Sequence, residues 1–195
     1  MTESFISTKD RIISTAIDII SESGLSNLTT KTVSMKANLS EPLLYRFYGD
    51  ISELLIDVVK YFFRFDKSIQ KTIQAREGSW TDKIRAYVED YAIYYENYST
   101  LSTLMLQYEE LLHFPSTREI MIEGSTKRRE FMQSLFRGAI EAGEIRSDLD
   151  PNNLTDLTHG FMHITCLKRR LGVEKGSFRQ DMCRFVNKMI EVISI

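Results

Sequence analysis

Three prolines, nine glycines, two cysteines, three histidines and one tryptophan are spread over 195 residues, and each scarcity excludes something. So few helix breakers exclude a chain of short strands joined by tight turns. Cys166 and Cys183 stand in segments of helical pattern, which fits buried thiols and excludes a disulfide framework. No segment approaches the roughly 18 uninterrupted apolar residues of a membrane helix. The first ten residues, Met-Thr-Glu-Ser-Phe-Ile-Ser-Thr-Lys-Asp, lack a basic leader followed by an apolar run. The expectation is a cytoplasmic protein with no membrane partner. A phosphate loop, a nucleophile signature and a closed metal cluster are missing as well, so no cofactor, metal or catalytic residue is expected.

Charge of one sign is also lacking: 25 Lys and Arg against 27 Asp and Glu give a net charge of -2. In the first fifty residues Lys9, Arg11, Lys31, Lys36 and Arg46 are offset by Glu3, Asp10, Asp18, Glu22, Glu41 and Asp50. A nucleic-acid partner would therefore depend on local placement of cations rather than on overall charge. Lys60, Arg64, Lys67 and Lys71 recur at helical spacing and are expected as a solvated face.

What is abundant is apolar side chains at three- and four-residue spacing, which makes the class all-α. Ser7 with Asp10 can cap a first helix that turns Ile13, Ala16, Ile19 and Ile20 inward and ends at Gly24. Thr30 is the expected cap of a second helix. Asp50 with Glu53 forms a capping box for a long fourth helix through Leu54, Leu55, Val58, Val59, Phe62 and Phe63. Further helices are expected over about 80–97, 99–113, 116–142, 151–171 and 176–194, with breaks at Pro115, Gly143, Pro151, Gly172 and Gly176.

The segment Thr30 to Tyr48 reads as two very short helices joined by a tight turn, the pattern of a helix-turn-helix. A helix from Glu41 to Tyr48 would rise roughly 12 Å, a length that suits the major groove. Val33, Ala37, Leu39, Leu44 and one of Phe47 or Tyr48 can anchor it. Asn38 at the turn tolerates positive φ, and Pro42 falls in the first helical turn, where its missing N–H removes only an orphan donor. Lys31, Ser40, Glu41, Leu43, Tyr45 and Arg46 are left to face DNA. Thr30, Lys31, Tyr45 and Arg46 suit phosphates, while Glu41, Pro42 and Leu43 could touch base edges or thymine methyls; Arg46 could instead read a guanine. Residues 1–50 are thus expected as a three-helix DNA-binding domain, and 51–195 as a helical effector-binding and dimerisation domain whose first helix connects the two.

Arg11-Ile-Ile, Ala16, Gly24, Thr29-Thr30, Val33, Ala37, Leu39-Ser40, Leu44-Tyr45, Tyr48 and Leu54 together resemble the N-terminal signature of the TetR family of transcriptional regulators, over roughly residues 9 to 55. Gly143-Glu-Ile-Arg-Ser-Asp-Leu-Asp-Pro151 resembles a less specific segment found before the penultimate helix of many members. Three positions depart from the pattern: Asn38 stands for the turn glycine, Pro42 for a frequent glycine, and Ile51 for a phosphate-binding lysine. The resemblance implies a repressor of a double-stranded DNA operator, a ligand cavity, and a four-helix dimer interface.

A recognition helix of two turns reads only a few base pairs, so a homodimer on a palindromic operator is expected. Its interface would use the last helix pair, with Leu154, Leu157, Phe161, Ile164 and Leu167 on one and Phe178, Met182, Phe185, Met189 and Val192 on the other. Tyr87, Tyr91, Tyr94, Tyr95 and Tyr98 recur near one side of a helix, with Trp80, Met105, Tyr108, Phe114, Met121, Phe131, Met132 and Phe136 nearby in sequence. The expected effector site draws on Tyr87, Tyr91, Tyr94, Met105, Tyr108, Glu109, His113, Phe131 and His163. Aromatic walls beside Glu109 or Glu110 would favour a flat apolar or cationic small molecule, whose binding would shift the fourth helix and release DNA. The alternative is a helical-bundle metal-dependent enzyme or ligand-binding protein built on His159, His163 and Cys166, or on Glu110-Leu-Leu-His113 with Asp156-Leu-Thr-His159.

Overall fold

The computed structural model describes residues 7–195, which form eleven α-helices and no strand beyond a single antiparallel bridge between Ile145 and Ser194. The helices are α1 (Thr8–Ser23), α2 (Thr30–Lys36), α3 (Glu41–Tyr45), α4 (Ile51–Phe63), α5 (Asp66–Ala75), α6 (Trp80–Asn97), α7 (Ser99–Met105), α8 (Tyr108–His113), α9 (Pro115–Glu141), α10 (Pro151–Arg170) and α11 (Phe178–Ile193). A 3₁₀ turn covers Leu25–Asn27. The all-α expectation holds. Among the described residues no helix is long and apolar enough to cross a membrane.

Two compact units divide the chain, one made of residues 1–64 and 100–123, the other of 65–99 and 124–195. The expected division at residue 50 is not the one the packing follows, because α4 buries its apolar face in the first unit. Leu54, Leu55, Val58, Val59 and Phe62 join Ile12, Ile13, Ala16, Ile17 and Ile20 of α1 in that core. Leu101, Leu104, Leu111 and Met121 of the second segment are buried in the same unit. In the other unit α6 packs along α11, and Val88, Tyr91, Ala92, Phe136, Ala139, Met182, Val186 and Ile190 are nearly inaccessible to solvent.

The caps explain most boundaries. Ser7 Oγ accepts from Asp10 N at the start of α1, and Asp50 accepts from Glu53 N at the start of α4. Glu53 returns a bond to Gly49 N at 2.7 Å rather than to Asp50, so the expected reciprocal box is completed one residue earlier. The cap of α2 is Thr29, not Thr30: Thr29 and Thr32 each accept the other's backbone N–H, and Thr30 is the first helical residue.

One expected helix is broken without proline or glycine, and the fourth ends where its apolar run does. The segment 99–113 divides at Leu106–Gln107, where tight i to i−3 bonds to Thr103 and Leu104 end α7. Helix α4 stops at Phe63 and α5 begins at Asp66, with Ser68 Oγ donating to the Phe65 carbonyl at the corner. Lys60 and Arg64 therefore do not share a continuous helical face with Lys67 and Lys71, as their spacing suggested.

Candidate nucleic-acid interface

The turn between α2 and α3 is set by Asn38, whose φ of 53° is the sole positive value outside glycine among the described residues. Asn38 N donates to Met35 O and Leu39 N to Ser34 O, the paired bonds that close a helix through a left-handed residue. Ser40 then caps α3 by accepting from Leu43 N at 3.3 Å. Val33, Ala37, Leu44 and Tyr48 are buried, so they fasten both short helices to the core. Of the two aromatic candidates the anchor is Tyr48; Phe47 is exposed.

Helix α3 is shorter than its sequence suggests. It spans five residues, a rise of about 7–8 Å, and continues as a tight turn in which Phe47 and Tyr48 both donate to the Leu44 carbonyl. With Leu44 turned inward, Lys31, Ser40, Glu41, Pro42, Tyr45 and Arg46 are exposed, and Thr30 and Leu43 are half-buried. Six of the eight expected residues are thus open to solvent and two partly so. Tyr45, 51% exposed, places its hydroxyl 3.5 Å from Thr30 Oγ1, which joins the far end of α3 to the start of α2. Lys36 is turned away to an ion pair with Glu22, while Lys31 and Arg46 form no ion pair among the described residues. The face is therefore cationic and hydroxyl-rich although the chain is slightly acidic.

One network here was not legible in advance. The Tyr48 hydroxyl donates to Asp57 Oδ2 at 3.1 Å, Lys9 Nζ lies 2.7 Å from the same oxygen, and the ammonium sits 5.6 Å from the Tyr48 ring centroid. It ties α1, the exit of α3 and α4 together. Burial pushes the Asp57 carboxyl up, but hydrogen bonds from Lys9 and Tyr48 outweigh this and hold it below the ordinary carboxylate range. A tyrosine at position 48 gave no sequence cue to a partner nine residues away. Met35 on α2 is also exposed, at 73%.

The outer face of α10 and α11 carries the second feature. Leu157, Ile164, Leu167 and Val192 are exposed apolar side chains, and the Phe161 and Phe185 rings stack in parallel with centroids 3.9 Å apart. An open groove of about 540 Å³ runs along Leu157, Phe161, Phe185 and Val192. Phe178 and Met182, expected on this face, are buried within the unit, as is Leu154, whereas Met189, largely buried, still lines the groove; Phe178 meets the Tyr95 ring edge-on at 6.3 Å. The apolar residues of α11 form one broad face, with Phe185 and Val192 at its edge, so spacing alone does not separate them from the inner stripe.

The expected effector residues fall in both units. In the second, Tyr87 lies 4.9 Å from Tyr91 and 5.0 Å from Phe131 between ring centroids, and Tyr94 packs on Tyr95 and Phe65. His163, in contrast, is exposed. In the first unit Met105 is buried and Tyr108 meets Phe62 edge-on at 5.9 Å, but Glu109, Glu110 and His113 are on the surface, with His113 Nδ1 paired to the Glu109 carbonyl. Glu109 and Glu110 thus do not border buried aromatic walls, because the short α8 leaves both carboxylates exposed. A residue the sequence reading missed altogether is Arg128, buried on α9 and bound to Asp66.

Cys166 is buried while His163 is exposed, so the helical spacing does not make a shared ligand face. Among the described residues no three His, Cys, Asp or Glu side chains converge as a metal site. His159 is largely buried and its pKa is lowered to about 4 by burial and by the nearby charges of Arg128 and Arg129.

No family model and no curated protein matches the sequence. Solved structures do match. The ketosteroid transcriptional regulator KstR2 of Mycobacterium tuberculosis superimposes with a TM-score of 0.86 at 14% identity, over 98% of this chain and 97% of that one. The TetR-family regulator PfmR from Thermus thermophilus gives 0.82 at 16% identity over 93% and 98%. FadR from Bacillus subtilis, solved in complex with stearoyl-CoA, gives 0.72 at 17% identity over 93% and 95%. The fold is that of the TetR-type transcriptional regulators along nearly the whole chain.

Proposed function

We propose that this chain is a TetR-family transcriptional regulator, a repressor that binds a palindromic operator as a homodimer in the cytoplasm and is released by a small molecule. The observation that carries the reading is the outward face of α2 and α3. Thr30, Lys31, Ser40, Glu41, Pro42, Leu43, Tyr45 and Arg46 are exposed or half-buried, while Val33, Ala37, Leu44 and Tyr48 of the same segment are buried. In this reading Lys31, Tyr45, Arg46 and Thr30 hold phosphates and fix register, while Glu41, Pro42 and Leu43 meet base edges, with Ser40 at the turn. Ile51, half-buried where the resemblance leads one to expect a lysine, contributes no phosphate contact.

Homodimerisation is supported by the groove of α10 and α11, which holds the Phe161–Phe185 stack with Leu157 and Val192, and by the exposed apolar Ile164 and Leu167 of α10. Burying that face against a second copy would present two recognition helices to successive half-sites. The fold neighbours include a ketosteroid regulator and one solved with stearoyl-CoA, which supports an effector with a large apolar body. The effector would alter the separation of the two recognition helices, with α4, which carries Asp57 against Tyr48, as the element that moves.

The test is selection of a binding site from randomised duplexes, followed by affinity measurements on Tyr45→Ala and Arg46→Ala. Each variant should lose at least tenfold in operator affinity while remaining dimeric in sedimentation. Wild-type protein that selects no sequence, or variants that bind it unchanged, would overturn the reading.

A further inference from the structure

Helix α10 reverses the usual distribution of side chains. Three threonines, Thr155, Thr158 and Thr165, lie on its buried side, and each hydroxyl donates to the carbonyl four residues back, at Pro151, Leu154 and Phe161. The opposite side exposes Leu157, Ile164 and Leu167, with Leu171 at the helix end. Single exposed leucines are ordinary on a surface, but four on one helical face, beside a groove that holds the Phe161–Phe185 stack, mark a face that something covers.

Gly160 lies in the middle of that face. Glycine is a poor helix former, and inside a helix it usually makes room for a neighbour. At Gly138 of α9 the neighbour is the Trp80 indole, which a Cβ would meet at 2.5 Å. At Gly160 a Cβ would meet nothing within 4 Å, so the subunit itself does not use the gap. Leu157 and Ile164 are its neighbours along the face, three residues before and four after. Gly160 is thus a hole with an apolar rim, and Ile164, 43% exposed, is a knob one turn further on.

A hole and a knob one turn apart are what a contact between identical faces requires, because about a two-fold axis each meets its counterpart. The axis would pass level with residue 162, midway between Gly160 and Ile164 and also between Leu157 and Leu167. Charge favours the same occupant. Lys168, Arg184 and Lys188 along the groove are paired with Glu174, Asp181 and Glu191. A face that balances its own charges meets a copy of itself without repulsion, whereas a nucleic acid, an anionic membrane or an acidic peptide calls for an excess of positive charge.

We infer that α10 crosses α10 of a second copy over the Gly160–Ile164 turn, with the Ile164 side chain of each copy seated on Gly160 of the other. This rests on the reading of the chain as a homodimer, and it fixes where in the interface the two copies come closest.

The experiment is sedimentation equilibrium of the full-length chain and four variants, with circular dichroism to establish that each keeps wild-type helicity. Gly160→Ile fills the hole and Ile164→Gly removes the knob, and each should weaken the dimer at least tenfold. Gly160→Ala adds one methyl where the subunit has room, so it reads the contact without straining the fold, and it should lose about threefold. Gly160→Ile/Ile164→Gly transposes knob and hole at unchanged composition and should return to within about threefold of wild type. On a loosely packed apolar face a bulkier side chain would tighten association. Equal or tighter dimerisation of Gly160→Ile and Gly160→Ala therefore overturns the crossing, as does a transposed variant no tighter than the single ones. With a dimeric, operator-binding wild type, either result sinks the crossing alone; a monomeric wild type sinks the homodimer and the crossing together.

Discussion

Replacing Arg128 by methionine should destabilise the second unit by about 3–5 kcal/mol, the range for removing one partner of a buried ion pair. The side chains of Arg128 and Asp66 are 9% and 13% exposed, so solvent screens the pair little. The variant leaves the Asp66 carboxylate without its two short hydrogen bonds and removes the guanidinium donor from Tyr95. At roughly 2–4 °C per kcal/mol for a chain of this length, Tm should fall by about 6–20 °C. The second arm of the cycle carries the diagnosis. Arg128→Met with Asp66→Leu replaces both charges by apolar groups and should recover most of the loss, since such exchanges are often neutral. Thermal unfolding followed by circular dichroism on wild type, both single variants and the double variant measures the coupling. A single variant within about 1 kcal/mol of wild type, or a double variant no more stable than Arg128→Met, would show that the pair is not the buried, mutually dependent element described.

Three further outcomes are expected. Gly138→Ala should lower stability by about 1–3 kcal/mol in a denaturant melt, because the new Cβ would lie 2.5 Å from the Trp80 indole; a gain, as helix propensity alone would give, contradicts this packing. His159 is depressed in the folded state from 6.5 to about 4, so its contribution is present above the unfolded pKa and lost as pH falls from about 6.5 towards 4. His159→Asn should flatten that part of the stability–pH curve by up to about 3 kcal/mol, and an unchanged curve would refute the burial assigned to the ring. Tyr48→Phe removes the hydrogen bond to Asp57 and should cost about 0.5–1.5 kcal/mol, with a measurable fall in operator affinity; Lys9 still pairs with Asp57, so a larger loss is not expected.

The parts of this architecture that announce themselves in sequence are those fixed by local chemistry. Asn38 at a left-handed turn, Ser7, Ser40 and Asp50 at helix starts, and the apolar spacing of α1 and α4 each have one dominant physical solution. Thr29 and Thr30 are both competent caps, and only the reciprocal bonding with Thr32 selects the first. The inner and outer stripes of α11 are not separable by spacing because they adjoin as one broad apolar face, and Phe178 is claimed by Tyr95 of a distant segment. Long-range polar contacts left no trace at all. Arg128 with Asp66 spans 62 residues, and Glu144 accepts the Trp80 and Thr81 backbone N–H groups from a similar distance, so neither pair falls within any helical or capping pattern. The break after Met105 is likewise tertiary, since it does not lie at a glycine or proline.

The central claim is sequence-specific DNA binding through α2 and α3, and the most direct measurement is capture of fragments of the source genome on immobilised protein, wild type beside Tyr45→Ala/Arg46→Ala. The account predicts that wild type enriches a small set of sites sharing a two-fold symmetric sequence, and that the double variant, still folded and dimeric, enriches none of them. Equal enrichment by both proteins, or none by wild type, would contradict it.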